Sequence, residues 1–154
     1  MFARFIAALL LLAASAVAIA GPKIEHWTLA NGARVYFVPA RELPMVQLRA
    51  VFDGAAQRDP AERHGLAHLT GLMLREGTGT LTADDVARRF EGLGAEFSAG
   101  ADREMATVSL RSLTDPVLFE PAVDLVTRLL GGPSFPEPSL ARERARLRAA
   151  LQKD

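Results

Sequence analysis

A chain of 154 residues, 49% of them hydrophobic and 23% charged, is long enough for one ordinary hydrophobic core and resembles neither a disordered tail nor a fibre. Its 18 basic and 18 acidic side chains balance, so we expect no long-range positive field and no nucleic-acid partner. The absence of cysteine excludes disulfides and thiolate ligands, and any metal site must therefore use His, Asp and Glu.

The first twenty residues have the pattern of a secretory signal peptide. Arg4 precedes an apolar run from Phe5 to Leu12, and small residues then lead to Ala18-Ile19-Ala20. We therefore predict a signal peptide over residues 1–20 and a periplasmic or secreted product beginning at Gly21, with no stable membrane insertion after cleavage. An uncleaved membrane anchor is the alternative, although the apolar run is short for a membrane span.

Strands are predicted next along the chain. Trp27 and Leu29 alternate with polar neighbours, Asn31-Gly32 marks a hairpin turn, and an apolar run from Val35 to Val38 follows. The segment from Met45 to Asp53 alternates strictly between apolar and polar side chains. Such alternation predicts a half-buried antiparallel strand.

Two helices are predicted in the middle of the chain. Helical spacing of apolar residues extends from Ala61 to Arg75, and Gly77 is placed to end this helix. A second helix begins at Thr82, a good N-cap with Asp85 three residues later, and Gly94 supplies its end.

The last third of the chain predicts a hairpin followed by two helices. Residues 95–112 return to a strand pattern that turns near residues 100–103. A third helix starts at Pro116 and is closed by Gly131-Gly132-Pro133, and a fourth runs from about Pro138 to the end. The whole order predicts an α+β domain in which helices cover one face of an antiparallel sheet.

Four arginines alternate along the fourth predicted helix, at Arg142, Arg144, Arg146 and Arg148. They could form an anion-binding stripe. We favour a solvated helix face that pairs with Glu143.

Two of the three histidines, His64 and His68, stand four residues apart in the stretch RHGLAHLTGLMLREGT. On a helix this spacing places both imidazoles on one face, as several zinc peptidases do to hold their metal. The third histidine, His26, lies on a strand of the first hairpin and is expected at the surface.

The segment from Phe52 to Thr78, FDGAAQRDPAERHGLAHLTGLMLREGT, resembles the N-terminal domain of the insulinase-type (M16) zinc peptidases. That family's signature is a glycine-rich lead-in, an inverted zinc motif H-x-x-E-H and a Gly-Thr. The similarity continues through the turn at Leu93-Gly94-Ala95, the Gly-Pro-x-Phe loop at residues 132–135 and the Arg142-Glu143 helix. It implies an M16-like N-terminal domain over residues 21–154. Because family subunits contain two similar halves, this domain is expected to be incomplete and the chain a fragment.

The resemblance also implies a zinc site, which this sequence does not complete. In the family, both motif histidines and a glutamate from a later helix bind zinc, and the motif glutamate acts as general base. Those positions fall on His68 and Leu72 for the histidines, Gly71 for the base and Ala150 for the later ligand. Only His68 is retained, so we expect no catalytic residue, no metal site and no cofactor in this chain.

The remaining histidine pairing is disfavoured, because His64 precedes the motif and Gly65 weakens the helix start. His68 is expected to have a polar structural role. Restoring activity would require Gly71→Glu, Leu72→His and Ala150→Glu together. Gly71→Glu alone is expected to stabilise the helix by up to about 1 kcal/mol, unless a partner packs against the bare backbone there.

The favoured function is that of an exported non-catalytic subunit. Many members of the family pair one zinc-bearing subunit with one that has lost the metal, and the pair encloses extended peptides. The resemblance places the substrate-facing edge strand at Glu96 to Ala101, with Ser98 and Ala99 as the peptide-binding positions. Ser98 replaces a common asparagine.

Two other functions remain open. One is a metallopeptidase with a rearranged site built from His64, His68 and either Glu62 or Glu76. The other is a stand-alone secreted binding domain that has no partner.

Overall fold

The computed structural model describes residues 21–152, in two compact units that divide between Leu43 and Pro44. The first unit is an antiparallel hairpin of β1 (Glu25–Thr28) and β2 (Arg34–Phe37). Gly32 has a φ of 85°, and the Asn31 side chain accepts a hydrogen bond of 3.1 Å from the Ala33 N–H. The predicted Asn-Gly turn is therefore confirmed. The predicted signal peptide lies outside the described residues.

The second unit contains the strands and helices that the sequence predicts, in the predicted order, and one additional pair of short strands. Its strands are β3 (Met45–Phe52), β4 (Gly77–Thr78), β5 (Leu81–Thr82), β6 (Glu96–Ala101) and β7 (Ala106–Leu113). Its helices are α1 (Leu66–Met73), α2 (Ala83–Gly92), α3 (Pro116–Gly131) and α4 (Glu137–Leu151). The main sheet is antiparallel with the order β3-β7-β6, and β4 with β5 forms a small hairpin that was not predicted. The α+β class is confirmed.

The core of this unit forms where helices pack on the central strand β7. Alternate β7 residues Val108, Leu110 and Ser112 are buried, as the two-residue period of a strand with one covered face requires. Leu110 belongs to the main apolar cluster, which also contains Val86, Phe90, Ala95, Ala122, Leu125 and Leu129. Helix α3 packs on β7 and helix α1 on β6. The burial of this face holds the sheet and helices together.

Local capping signals place both ends of α2 and the start of α3 as predicted. Thr82 and Asp85 form a reciprocal capping box at the start of α2, and Gly94 has a φ of 60° just beyond its end. The Asp115 side chain accepts a hydrogen bond from the Val117 N–H at the start of α3.

The first predicted helix is shorter than its apolar spacing suggests. Residues 61–63 form only a 3-10 turn, and Gly65 has a φ of 91°, which ends any continuity with α1. The Asp59 carboxylate accepts hydrogen bonds from the N–H groups of Gly65 (2.8 Å) and Ala67 (3.0 Å). Asp59 thus caps α1 from outside the helix, and the predicted start at Ala61 is wrong.

Two strand predictions also need correction. The second hairpin turns at residues 102–105, where Asp102 Oδ1 accepts hydrogen bonds from the N–H groups of Glu104 and Met105. Strand β3 is exposed rather than half-buried, with Leu48 at 42% and Phe52 at 46% exposure. It lies at the edge of the sheet, whereas the helices pack mainly on β6 and β7.

Helices long and apolar enough to cross a membrane are absent from residues 21–152.

Candidate functional site

His68, the one retained position of the resembled zinc motif, lies on the exposed side of α1. Its ring Nδ1 is 3.4 Å from the carbonyl oxygen of Ala101 on β6. A carbonyl oxygen only accepts, so a hydrogen bond here requires the proton on Nδ1. His64 precedes the left-handed Gly65 and is not part of α1. The helical spacing that would place the two imidazoles on one face therefore does not apply.

Gly71, at the position of the motif glutamate, is buried in the contact between α1 and β6. A Cβ atom added to Gly71 would lie 2.7 Å from Gly100 Cα, 3.0 Å from Gly100 C and 3.2 Å from Ala101 N. These neighbours are backbone atoms of a paired strand and cannot rotate away as a side chain can. The expectation that Gly71→Glu stabilises the helix is therefore wrong, because β6 occupies the space that the side chain needs.

The other resembled positions do not supply a zinc site. Leu72 is partly buried and Ala150 is exposed on α4. Within residues 21–152, no three His, Cys, Asp or Glu side chains are grouped closely enough to hold a metal ion. The proposed rearranged set of His64, His68 and either Glu62 or Glu76 is thus not brought together. The side chains present do not fit the zinc of the resembled family.

A network of ion pairs joins the chain just after α1 to helix α4. Arg142 donates from Nη2 to Glu76 Oε2 at 2.7 Å and from Nε to Glu143 Oε1 at 3.3 Å. Arg146 lies 3.9 Å from Glu143. The carboxylate side chains of Glu76 and Glu143 are only 11% and 10% exposed, while Arg142 remains 57% exposed. The predicted solvated arginine face is confirmed, but the burial of Glu143 was missed.

The charge on Glu76 is stabilised by this network. Burial by itself raises the pKa of Glu76, but hydrogen bonds from Ser139 and Arg142 and the positive charge of Arg142 outweigh it, and the net pKa lies below the ordinary value. The same contacts raise the pKa of Arg142. Both groups are therefore charged at neutral pH.

Strand β6 carries the predicted peptide-binding positions at an edge of the main sheet. Ser98 pairs with Ser109 and Ala99 with Val108, both on β7. The sheet order β3-β7-β6 leaves the opposite edge of β6 without a strand neighbour in the part of the chain that the structure describes. An extended peptide can add to such an edge by backbone hydrogen bonds.

A groove between α2 and α4 was not predicted. It is open to solvent, has a volume of about 520 Å³ and is lined by residues of α1, α2, β6 and α4. We call it the α2–α4 groove and define it by its floor (Leu72, Val86, Phe90, Phe97), its α2 side (Asp84, Ala87, Glu91), its α4 side (Glu143, Arg146) and the charged residues at its ends (Arg75, Glu76, Glu96). The spacing of Asp84, Ala87 and Glu91 places them on one face of α2. The sequence does not reveal that α4 lies across the groove from this face.

These features describe an α+β peptidase-like domain in which a helix and an edge strand meet where a metal site would be, without its ligands. The chain belongs to the insulinase family, peptidase family M16, whose sequence pattern matches residues 42–153. The resemblance seen in the motif and the expected fold are thereby confirmed.

Individual relatives agree with this assignment. The chain is similar to the peptidase M16 inactive domain from Pseudomonas fluorescens, with 42% identity, a TM-score of 0.81, and coverage of 85% of this chain and 32% of that one. It shares its fold with the periplasmic protease PqqL from Escherichia coli, at 22% identity and a TM-score of 0.73 over 86% of this chain and 15% of that one. A probable mitochondrial-processing peptidase subunit beta of Arabidopsis thaliana is 25% identical over 126 residues, 82% of this chain. The chain spans about a quarter of the curated relatives' length, 23% and 29%.

Proposed function

We propose that this chain is an exported, non-catalytic M16 domain that assembles with a zinc-bearing M16 subunit and helps to enclose extended peptides. The observation that carries the proposal is the contact of Gly71 with the Gly100 backbone, at the position where the resembled motif has its general base. Catalysis in the family also needs a second imidazole and a later carboxylate, and Leu72 and Ala150 provide neither.

Each part of this proposal, namely inactivity, peptide binding and export, is supported by a different observation. At 42% identity, the Pseudomonas fluorescens protein is described as an inactive M16 domain. The free edge of β6, with Ser98 and Ala99, supports a role in holding a peptide strand. The periplasmic location of PqqL supports export, in agreement with the signal-peptide pattern of residues 1–20.

Metal content and hydrolysis test the absence of catalysis. We expect the purified chain to contain no stoichiometric zinc by elemental analysis and to cleave no peptide from a random-sequence library. Stoichiometric zinc, together with hydrolysis that a chelator and His68→Ala both abolish, would establish a rearranged catalytic site instead.

Assembly requires a separate experiment in the organism's own envelope fraction. We expect the affinity-tagged chain to co-purify with an M16 subunit that contains an intact H-x-x-E-H motif, in a fixed ratio. The peptidase activity of the complex should disappear when that partner's motif glutamate is changed to glutamine and persist in His68→Ala of this chain. A chain recovered alone from its envelope would favour a stand-alone binding domain.

Export is tested by the mature N-terminus. Cleavage after Ala20 predicts that sequencing of the periplasmic protein begins at Gly21. As a control, Ala18→Arg should block cleavage, because the processing site requires small residues. Retention of Met1 on a membrane-bound product of the unmodified chain would contradict this prediction.

A further inference from the structure

The α2–α4 groove has an apolar floor that can hold the stem of a long side chain. Leu72 comes from α1, Val86 and Phe90 come from α2, and Phe97 comes from β6. The rings of Phe90 and Phe97 are stacked, with their centroids 5.2 Å apart. The groove volume of about 520 Å³ is much larger than one water molecule and lies in the range of ligand-binding pockets. It can therefore accept a long side chain together with part of the peptide that carries it.

The charges around this floor are arranged asymmetrically. On the α2 side, Asp84 and Glu91 are exposed, and neither forms an ion pair with any other residue in the range 21–152. On the α4 side, the Glu143 carboxylate is already engaged by Arg142 and Arg146. Two cations, Arg75 and Arg146, also line the groove, but they lie near Glu76 and Glu143 respectively. Uncompensated negative charge is therefore concentrated on the α2 side.

The geometry of α2 leaves a place for a cation between these two carboxylates. Asp84 and Glu91 are seven residues apart, about two helical turns or about 10 Å along the axis. Ala87, on the same stripe, is small and lines the groove between them. The nearby Arg88 does not line the groove and pairs with Asp85 instead.

We propose that the α2–α4 groove binds a lysine or arginine side chain of an extended peptide. The aliphatic stem lies on the apolar floor, and the cationic tip lies over Ala87 between Asp84 and Glu91. The proposal rests on the proposed function, because it gives the substrate class for a peptide held at the β6 edge. Strand β6 contributes Glu96 and Phe97 to the groove, so a peptide added to this strand passes beside it. Because alternate residues of an extended peptide point to the same side, one side chain in two is directed to the same face.

Binding to the purified full chain tests this directly, without a partner or catalysis. The probes are fluorescein-labelled octapeptides of alanine and valine with one central lysine, norleucine or glutamate, compared by fluorescence anisotropy. We expect the lysine peptide to bind about fivefold to tenfold more tightly than the norleucine peptide. The difference should shrink as the salt concentration rises from about 50 to about 500 mM.

Variants separate the groove from the general charge of the surface. Asp84→Asn with Glu91→Gln should reduce the preference for lysine to less than about twofold, and Glu91→Lys should favour the glutamate peptide. The matched control, Glu120→Gln with Asp124→Asn on exposed positions of α3, removes the same charge and should leave the preference unchanged. Ala87→Leu keeps all charges but fills the space between them, and it should weaken binding of the lysine peptide. Circular dichroism of each variant verifies its fold.

Several results would overturn the proposal. They are equal binding of lysine and norleucine peptides, tighter binding of the norleucine peptide, loss of the preference in the α3 control, or no binding of any peptide. This experiment uses neither zinc nor a partner. A negative result would therefore not bear on the non-catalytic assignment, which metal content and hydrolysis test separately. Conversely, discovery of zinc in the chain would not affect the lysine preference.

Discussion

At Gly71, helix propensity and tertiary packing act in opposite directions. Glycine inside a helix costs about 1 kcal/mol relative to alanine, so a sequence argument favours its replacement. If any other residue replaced Gly71, its Cβ atom would lie only 2.7 Å from the Cα atom of Gly100. The bare backbone at Gly71 is what allows α1 to approach β6, and the same approach excludes a catalytic glutamate.

Gly71→Ala is therefore expected to lower the free energy of unfolding by about 1–3 kcal/mol, because a methyl group must displace paired backbone. The matched control is Gly92→Ala in α2, where an added Cβ meets no atom within 4 Å. That variant should be unchanged or more stable by up to about 1 kcal/mol. Urea unfolding measures both. Equal or greater stability of Gly71→Ala would contradict the close contact.

Glu76 gives a prediction about pH. Its pKa is lowered in the folded protein, so its charge contributes stability above the unfolded value of about 4.3, and that contribution is lost as the pH falls through the folded pKa. Glu76→Gln should lower the free energy of unfolding at pH 7 by about 1–2 kcal/mol, and the difference from the unmodified chain should shrink below about pH 4. Unfolding curves between pH 3 and pH 7 measure it, with the exposed Glu120→Gln as control. A difference that does not vary with pH would exclude the ion pair as its source.

At the scale of elements, helix α1 owes its start to a residue outside the helix. Its first turn follows a left-handed glycine, and the N–H groups of Gly65 and Ala67 donate to Asp59. Unsatisfied N–H groups at a helix start are costly, so an aspartate six to eight residues earlier can replace a local N-cap. This arrangement also places His64 before the helix.

Asp59→Ala should therefore destabilise the protein by about 1–2 kcal/mol, since two hydrogen bonds to a charged acceptor are lost. Asp53→Ala is the control. Asp53 forms an exposed ion pair with Arg58, and its loss should cost less than about 0.5 kcal/mol. Thermal unfolding followed by circular dichroism compares the two. Equal effects would mean that Asp59 acts only through general surface charge.

At the scale of the whole molecule, the sheet has an exposed apolar edge. Among residues 21–152, strand β3 is paired on one side only, and Leu48, Val51 and Phe52 are 42%, 57% and 46% exposed. Exposed edge strands with apolar side chains are templates for pairing with other chains. We therefore expect the isolated chain to self-associate unless a partner covers this edge.

Light scattering on a size-exclusion column tests this expectation with residues 21–154. We expect the unmodified chain to form large species, and Val51→Lys to shift it toward the monomer, because an edge lysine opposes strand addition. Val117→Lys on α3 is the control, since Val117 is even more exposed, at 76%, but does not lie on a strand. A monodisperse, cooperatively melting monomer of the unmodified chain would contradict the prediction.

Features that depend on neighbouring residues could be predicted from the sequence. The Asn31-Gly32 turn, the Thr82 capping box and the α+β order follow from turn chemistry, capping and periodicity, which act over a few residues. The replacement of motif residues by Gly71 and Leu72 is likewise a property of the sequence. Four features could be seen only in the folded chain: the contact of Gly71 with Gly100, the burial of Glu143, the groove between α2 and α4, and the exposure of β3. Each of these depends on groups far apart along the chain, and the packing that brings them together leaves no periodic signal in either segment.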